Sequence, residues 1–566
     1  MKNRFATRRR RARLASRCIV CCRREPPAER SVCPECNEAA KQRMRERRMK
    51  GADSARRDLR SALSLAKRLG VSGRIDDAMA AYAIVKGMAL ASQDFESAVK
   101  ALAGLSALAW ARCDTPAALS YAEEILALPS PPTSLWRIEG YLRCSRQLAT
   151  LDRPQEALAL LQEAARNCAY ARLESLSTYL EIRGFAESRL GQRSEALQDF
   201  RVARELSVET PRPGDRAFIL NNFAVVARNF GETSLAKQLF FEAVDFAESK
   251  KLGWVTTHIE LSLADSYVLW GEFSAAHDLV RRQEGRFNDH PTVLLKLLTL
   301  RSLLDPENIA GEQRTGGLLG DDRAMDITLR SKESQRIGYV LPAIAHRLRL
   351  AGDVRGSARV IDRALEALCT LDNTWNIWLL TAECALFGNL DQLRALRDIL
   401  EKTKIDDDIS RGNGLLISAA IEKREGRTGE CRAQANRAAR YFGAAGWRLH
   451  AALSLDLADR TGDAKSAYRA IGADSYLSSL TARPKRGRPP GRLLSLRQQQ
   501  VAVMAARGAS NAQIGSSLGI SRQTTAHHVS AVFQILDVKR RSEIREALER
   551  EPVVFADLLH SLGSSF

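Results

Sequence analysis

The sequence predicts an all-α protein in which helical hairpins stack into a superhelix, between a short cysteine-rich segment and a C-terminal unit of three helices. Three observations lead to this prediction. A small-residue signature recurs at regular intervals in the middle of the chain, capped apolar stripes with helical spacing occupy residues 494–550, and four cysteines form two close pairs near the N terminus. With 566 residues, the chain is long enough for three or more structural units.

The signature in the middle of the chain is a glycine or aspartate followed five residues later by alanine. Between Asp152 and Gly271 these markers lie 39 to 40 residues apart, and several have a second alanine seven residues further on. Small residues on one helix face let a neighbouring helix approach closely, and hairpins that cannot bury their faces alone stack into a superhelix. The pairs are Gly73/Ala78, Asp152/Ala157, Gly191/Ala196, Gly231/Ala236, Gly271/Ala276 and, more weakly, Gly462/Ala467, with Gly352 before Ser357 and Ala358.

This pattern resembles tetratricopeptide-like repeats with a longer period, and we assign residues 55–480 to such an α-solenoid. The copies near 281–345 and 370–425 are degenerate, and residues 314–323 are predicted to form a loop insertion. The resemblance implies a concave face that binds a peptide, a protein or a small effector. A group of aromatic and amide side chains could line it, although single aromatics at helical spacing more commonly pack between hairpins: Asn221, Asn222, Phe240, Trp254, Tyr267 and Trp270.

Residues 494–550 have the caps and apolar spacing of three short helices. The first begins at Leu494 and ends at Gly508, where a residue without Cβ can take the left-handed conformation. The second begins with the capping-box pair Ser510 and Gln513 and ends near Gly519. The third follows the N-cap Ser521, runs from Arg522 to about Ile535, and turns Val529, Val532 and Leu536 inward.

The third helix also carries a row of polar side chains that we predict to face outward. In helix-turn-helix proteins the N-terminal part of the recognition helix meets the bases, where arginine pairs with guanine and glutamine with adenine. Any amphipathic three-helix unit has a polar face, so the spacing alone leaves DNA contact open. The candidate residues are Arg522, Gln523, Thr524, Thr525, His527 and His528.

The same segment is similar to the LuxR-type (GerE-like) DNA-binding domain. The resemblance implies a helix-turn-helix domain at 493–552, DNA contacts at Thr524, His527 and His528, and a bacterial regulator. The sequence departs from the family at Gln498 to Gln500, at Thr525-Ala526 and at Ile535, and it lacks a lysine for a backbone contact at Ala526. The matches are Leu494, Arg497, Val501, Gly508, Ser510, Asn511, Ile514, Leu518, Ile520, Ser521, Thr524, His528, Leu536, Val538 and Arg541.

A basic segment directly before this domain, at 481–492, contains the run Arg486-Gly487-Arg488-Pro489. It resembles an AT-hook, in which the extended chain follows the narrow minor groove of A·T-rich DNA and arginines enter the groove. Arg486 and Arg488 are therefore candidate DNA contacts. A charged interdomain linker rich in proline and glycine is the alternative interpretation.

The N-terminal segment, 1–54, contains the pairs Cys18/Cys21 and Cys33/Cys36, each with two residues between the cysteines. Four thiolates in two knuckles suit a structural Zn²⁺ with closed tetrahedral coordination. Such a short polar stretch would depend on the metal for folding energy. Disulfides and chance pairing are the alternatives, and Cys22 could replace Cys21.

Positive charge is concentrated at the two ends of the chain. Of the net +19, residues 1–60 carry +13 and residues 481–550 carry +9, so the 420 residues between 61 and 480 are close to neutral, at −1, and the last sixteen carry −2. Clustered charge of this kind indicates polyanionic partners.

Enzyme signatures are not found: the sequence has no G-x-x-x-x-G-K-[ST] or H-E-x-x-H pattern, and no G-x-S-x-G elbow between a strand and a helix, because its one such string, Gly515 to Gly519, lies in the predicted second helix. It also has no run of 18 apolar residues. We expect a cytoplasmic, non-enzymatic transcription regulator that binds double-stranded DNA, with no membrane association, and a homodimer is expected where half-sites are paired. A helical-repeat interaction scaffold and a zinc-dependent RNA-binding adaptor remain alternatives. Residues 553–566 are assigned to a C-terminal tail.

Overall fold

The structure, a computed structural model, describes residues 38, 41–42, 57–129, 135–167, 173–210, 212–284, 286, 290–304, 320–371, 373–403, 407–477, 496–536 and 538–550. Within these residues every regular element is a helix, which confirms the predicted all-α class. The chain divides into two compact units, Met1–Ser475 and Tyr476–Phe566. None of the described helices is long and apolar enough to cross a membrane.

The first unit is a succession of antiparallel helical hairpins. Its helices are α1 (57–71), α2 (Ile75–Ala91), α3 (Phe95–Ala111), α4 (Thr115–Ala127), α5 (Leu135–Thr150), α6 (Pro154–Asn167), α7 (Leu173–Ser188), α8 (Arg193–Leu206), α9 (Pro213–Asn229), α10 (Thr233–Ser249), α11 (Trp254–Trp270), α12 (Phe273–Gln283), α13 (Pro291–Leu304), α14 (Asp321–Ser331), α15 (Ser334–Leu350), α16 (Val354–Cys369), α17 (Trp378–Phe387), α18 (Leu390–Thr403), α19 (Asp408–Arg424), α20 (Thr428–Ala444), α21 (Arg448–Leu457) and α22 (Thr461–Ile471).

The markers of the sequence repeat lie at the turns between paired helices. Gly73, Asp152, Gly191, Gly231, Gly271 and Gly352 all have positive φ, and the alanines five residues after the first five of these markers are fully buried. The second alanines, Ala164, Ala203 and Ala243, are buried as well. A left-handed residue reverses the chain, and the following small residue lets the two helices of a hairpin pack closely.

Two further turns continue the series with residues other than glycine or aspartate. Cys113 has a φ of 63° and is followed by the buried Ala118, and it fills the gap between Gly73 and Asp152 at a spacing of 40 and 39 residues. Gly426 is followed by the buried Cys431 in the same way. The combination of a left-handed turn and a buried small residue therefore also occurs where the sequence signature is missing.

The predicted pair Gly462/Ala467 is wrong by three residues. The left-handed turn is at Asp459, with a φ of 60°, and the buried alanine five residues later is Ala464. Gly462 instead lies in the first turn of α22. The predicted loop at 314–323 is also too long, because α14 begins at Asp321, and residues 314–319 lie outside the described part of the chain.

The hairpins of the second half of this unit contact those of the first half. The Ser334 backbone N–H donates to Asp152 Oδ2 at 2.8 Å, and Asn373 Nδ2 donates to the Arg189 carbonyl at 3.1 Å. These partners lie 182 and 184 residues apart in sequence. Each contact joins the turn of an early hairpin to the beginning of a later one, so the superhelix packs against its own earlier turns.

The second unit contains α23 (Leu496–Ala506), α24 (Asn511–Leu518), α25 (Arg522–Leu536), a 3-10 turn (Arg541–Glu543) and α26 (Ile544–Arg550). Their apolar faces meet in one core. The predicted inward residues of the third helix belong to it, and its buried members are Val501, Ala502, Ala505, Ile514, Val529, Val532, Leu536, Ile544 and Ala547.

Candidate DNA-binding surface and interior cavity

Helix α24 has the predicted ends. Ser510 Oγ accepts from the Gln513 backbone N–H at 3.3 Å, and Gln513 Oε1 accepts from the Ser510 backbone N–H at 2.8 Å, so both halves of the capping box are present. Gly519 closes the helix with a φ of 63°. These local hydrogen bonds fix where the turn between α24 and α25 begins.

Helices α24 and α25 lie close together at Gly515. A Cβ at this position would lie 2.8 Å from the Ile520 carbonyl oxygen and 3.1 Å from Thr525 Oγ1. The missing side chain of Gly515 therefore permits α24 to pack closely against the turn before α25 and against α25 itself. Thr525 Oγ1 donates to the Ser521 carbonyl at 3.0 Å, which satisfies its hydroxyl inside this contact.

This geometry corrects one predicted site residue. Thr525 was expected on the outward face of the helix, but its side chain is fully buried against α24. It lies four residues before Val529 and seven before Val532, so it belongs to the inward stripe of α25. It positions the helix and cannot reach a base edge.

The other candidates on α25 are at the surface. Arg522, Gln523, Thr524 and His527 are exposed, and His528 is half-buried. The Ser521 Oγ accepts from the Thr524 backbone N–H at 3.0 Å, which confirms the predicted N-cap, and the two hydroxyls lie 2.8 Å apart. The Thr524 hydroxyl is thus partly engaged within its own helix.

The Arg541 side chain links two segments of this unit that lie 30 to 32 residues apart in sequence. The Arg541 guanidinium donates to the Ala509 carbonyl and to Asn511 Oδ1. It thereby ties the segment after α25 to the beginning of α24. Arg541 and Asn511 were among the family matches, but nothing in their spacing indicated that they pair.

Six predicted site residues lie outside the described residues. They are the hook arginines Arg486 and Arg488 and the candidate zinc ligands Cys18, Cys21, Cys33 and Cys36. The described cysteines, in contrast, belong to the repeat unit and are free thiols: Cys113, Cys144, Cys369, Cys384 and Cys431.

The first unit contains a cavity of about 380 Å³ between its hairpins, partly open to solvent. One wall carries the rings of Trp110, Phe218, Trp254 and His258. The centroid of Trp110 lies 6.0 Å from that of Phe218 and 6.5 Å from that of Trp254, and His258 lies within 5.8 to 6.3 Å of all three. Aromatic rings at these separations form a continuous apolar surface.

Charged side chains line another part of the cavity. Arg146 forms a bidentate ion pair with Glu181, at 2.9 and 2.6 Å, and Arg228 forms an ion pair with Asp265 at 2.6 Å. The Lys296 ammonium donates to Ser262 Oγ at 2.5 Å. Burial lowers the pKa of Lys296 to about 7, while Asp265 acts in the opposite direction.

Half of the predicted groove residues line this cavity. Asn221, Asn222 and Trp254 are in its wall. Phe240 and Trp270 instead pack against each other inside the hairpins, with centroids 6.5 Å apart, and Tyr267 packs on Trp270. Trp110, Phe218 and Lys296 were not identified from the sequence, because no local pattern places residues of three distant hairpins together.

Comparison with known families identifies the C-terminal domain. Residues 492–546 match the family model described as bacterial regulatory proteins, luxR family. The match covers 55 of the 566 residues, so it characterises this domain and not the whole chain. The second unit therefore contains a LuxR-type helix-turn-helix domain. No curated protein matches the sequence.

Several solved structures of helical repeats are similar to the chain at low identity. A Rap protein complexed with Competence and Sporulation Factor is 14% identical, with 71% of this chain and 99% of that chain covered and a TM-score of 0.38. The apo form of the quorum sensor NprR from B. thuringiensis is 15% identical, with coverages of 67% and 99% and a TM-score of 0.33. Yeast Tom70 is 14% identical, with coverages of 75% and 98% and a TM-score of 0.28.

Proposed function

We propose that this protein is a transcription regulator that reads duplex DNA with helix α25 and receives a signal or a partner through its helical-repeat unit. The observation that carries the proposal is the exposed row Arg522, Gln523 and His527 at the N-terminal turns of a helix that packs closely against Gly515 of α24. Side chains at this end of a recognition helix contact bases in helix-turn-helix proteins, and the LuxR-type match supports the same surface.

The two basic ends of the chain add contacts in this proposal. Arg486 and Arg488 of the hook-like segment would enter the minor groove beside the operator, which raises affinity through tethering. Cys18, Cys21, Cys33 and Cys36 would hold a structural Zn²⁺ that folds the basic N-terminal segment. Two copies of the chain would be needed to occupy paired half-sites.

Selection of bound duplexes from a random-sequence pool, followed by fluorescence anisotropy with the enriched duplex, tests the proposal. The logarithm of the affinity should fall linearly with the logarithm of the salt concentration. Gln523→Ala should weaken binding by about 1–3 kcal/mol and relax the base preference at one position.

Arg545→Ala is the matched control for Arg522→Ala. Both residues are exposed arginines of the same unit, but Arg545 lies on α26 and not on the recognition helix. Loss of specific binding in the Arg522 variant alone supports readout by α25. Absence of any enriched sequence, or equal losses in both variants, contradicts the proposal and favours the interaction-scaffold alternative.

A further inference from the structure

We propose that the cavity of the helical-repeat unit binds a small aromatic carboxylic acid, with its ring against Trp110, Phe218 and Trp254 and its carboxylate at Lys296. This inference names the class of ligand for the signal-receiving unit, and in that sense it rests on the proposed function. Binding itself is independent of DNA and can be measured without it.

The aromatic wall provides a place for a ring. Trp110, Phe218 and Trp254 are half-buried and line the cavity, while His290 stacks on Trp254 at 4.3 Å and supports that indole ring. The rings come from α3, α9 and α11, so the surface exists only because these helices converge. A flat apolar group could lie against this surface.

Helix α11 connects this wall to the charged part of the cavity. Trp254, His258, Ser262 and Asp265 are spaced by three or four residues and all line the cavity, so they form one face of the helix. From Trp254 to Ser262 the helix rises roughly 12 Å. The cavity thus changes from aromatic to polar over the length of one small molecule.

Lys296 supplies the cation at the polar end. Its Nζ donates to Ser262 Oγ at 2.5 Å and lies 3.5 Å from the His258 carbonyl oxygen. No carboxylate of the described residues forms an ion pair with it, in contrast to Arg146 and Arg228 in the same cavity. A partly desolvated ammonium without a counter-ion is unfavourable, and a ligand carboxylate would remove this cost.

The net charge and the size of the cavity favour the same class of ligand. Seven arginine and lysine side chains line it against five aspartate and glutamate side chains, which suits an anion. A volume of about 380 Å³ lies at the small end of the range for ligand pockets. Longer peptides are therefore less well accommodated than a single aromatic acid.

Calorimetric titration of the full chain, without DNA, tests the inference with three probes that share one ring. They are the anion indole-3-acetate, the neutral indole-3-acetamide and the cation tryptamine. We expect indole-3-acetate to bind at least about tenfold more tightly than the amide, because charge-assisted hydrogen bonds are the stronger ones. Tryptamine should not bind measurably.

Substitutions then test which residue binds the carboxylate of the ligand and which binds its ring. Lys296→Met should reduce the affinity for the acid to that for the amide and leave the amide unchanged, whereas Trp254→Leu should weaken both. Lys67→Met is the matched control, since Lys67 is an exposed lysine of α1 outside the cavity wall. Thermal melting of each variant verifies that it is folded.

The native chain alone can overturn the inference: indole-3-acetate and indole-3-acetamide would bind equally, or none of the probes would bind. Tight binding of a short peptide ending in tryptophan, with no binding of indole-3-acetate, would overturn it in favour of a peptide ligand. DNA affinity of the same preparation, measured by anisotropy, separates this failure from a failure of the proposed function.

Discussion

Arg189 and Asp152 form an ion pair in the repeat unit in which each side chain is only 1% exposed. The Arg189 guanidinium lies against the rings of both Phe185 and Trp375, with its central carbon 4.6 Å from each ring centroid. Asp152 also accepts from the Ser334 backbone N–H. One buried pair therefore joins an early hairpin to a later one.

Asp152→Asn should lower the free energy of unfolding of the repeat unit by about 3–5 kcal/mol, because it leaves a buried guanidinium unpaired. Asparagine tolerates the left-handed conformation of this turn, so the substitution changes the charge and keeps the backbone. Chemical denaturation followed by tryptophan fluorescence measures the effect, since all seven tryptophans lie before residue 448.

Glu156→Gln is the control for that experiment. Glu156 pairs with Arg153 at 2.6 Å, but both side chains are largely exposed, so its loss should cost no more than about 1 kcal/mol. Similar denaturation midpoints for the two variants would show that the buried pair does not hold the hairpins together.

Gly515→Ala should destabilise the C-terminal unit by about 1–3 kcal/mol, because the added methyl group meets the Ile520 carbonyl oxygen. Tryptophan fluorescence does not report on this unit, so hydrogen exchange of peptides from 496–550 is the suitable measurement. Ser516→Ala, at an exposed position of the same helix, should leave exchange unchanged. Unaltered protection in the Gly515 variant would contradict the close approach.

The affinity of the cavity for indole-3-acetate should fall as the pH rises above about 7. Burial lowers the pKa of Lys296 to about 7, and a bound carboxylate would raise it again by favouring the ammonium. Below that pH the charged form is already present. Above it, binding must take up a proton, and the affinity decreases by up to about tenfold per pH unit.

The other ionisable groups that face Lys296 are not expected to gain or lose a proton in this pH range. Burial holds the pKa of His258 well below its usual range, and burial raises that of Tyr339 well above its own. Asp265 is paired with Arg228. Calorimetry between about pH 6 and 9 should therefore show the decline in the native chain and a flat profile in Lys296→Met. A decline that persists in the variant would assign it to another group.

One Zn²⁺ should accompany each chain when the protein is purified without chelator, since four cysteines in two close pairs suit tetrahedral thiolate coordination. Elemental analysis by mass spectrometry measures the ratio. Cys33→Ser should lose the metal, and Cys369→Ser, at an exposed cysteine of the repeat unit, should retain it. Equal zinc content in both variants would refute the assignment.

Arg486→Ala combined with Arg488→Ala should reduce affinity roughly tenfold for an operator flanked by A·T-rich sequence, because a tethered second contact is lost. The same operator with G·C-rich flanks should show little change, as the wider minor groove does not favour arginine entry. Anisotropy titrations with the two duplexes measure the difference. An equal loss on both would indicate a linker that contributes only charge.

Much of the C-terminal unit could be predicted because its signals are local. The hydrogen bonds of Ser510 and Gln513 connect residues three apart, and a left-handed Gly519 ends the same helix. The prediction for Thr525 is wrong although its spacing to Val529 and Val532 puts it on the inward stripe, and its hydroxyl tolerates burial because it donates to the Ser521 carbonyl.

In the repeat unit the sequence revealed the period only where glycine or aspartate occupied the turn. Cys113 and Asp459 take the same left-handed conformation, and there the buried alanine five residues later was the remaining signal. Packing of the hairpins imposes the conformation on whichever residue stands at the turn, so residue type alone could not reveal every copy.

The sequence alone encodes the helical class, the repeating hairpins, the caps of the DNA-binding domain and the concentration of positive charge at both ends. These follow from interactions between residues close in sequence and from composition. Only the tertiary structure brought Trp110, Phe218, Trp254 and Lys296 to one cavity and buried Arg189 against Asp152 and Trp375. The reason is that the superhelix joins hairpins more than 180 residues apart through contacts such as Asp152 with Ser334, which no local pattern encodes.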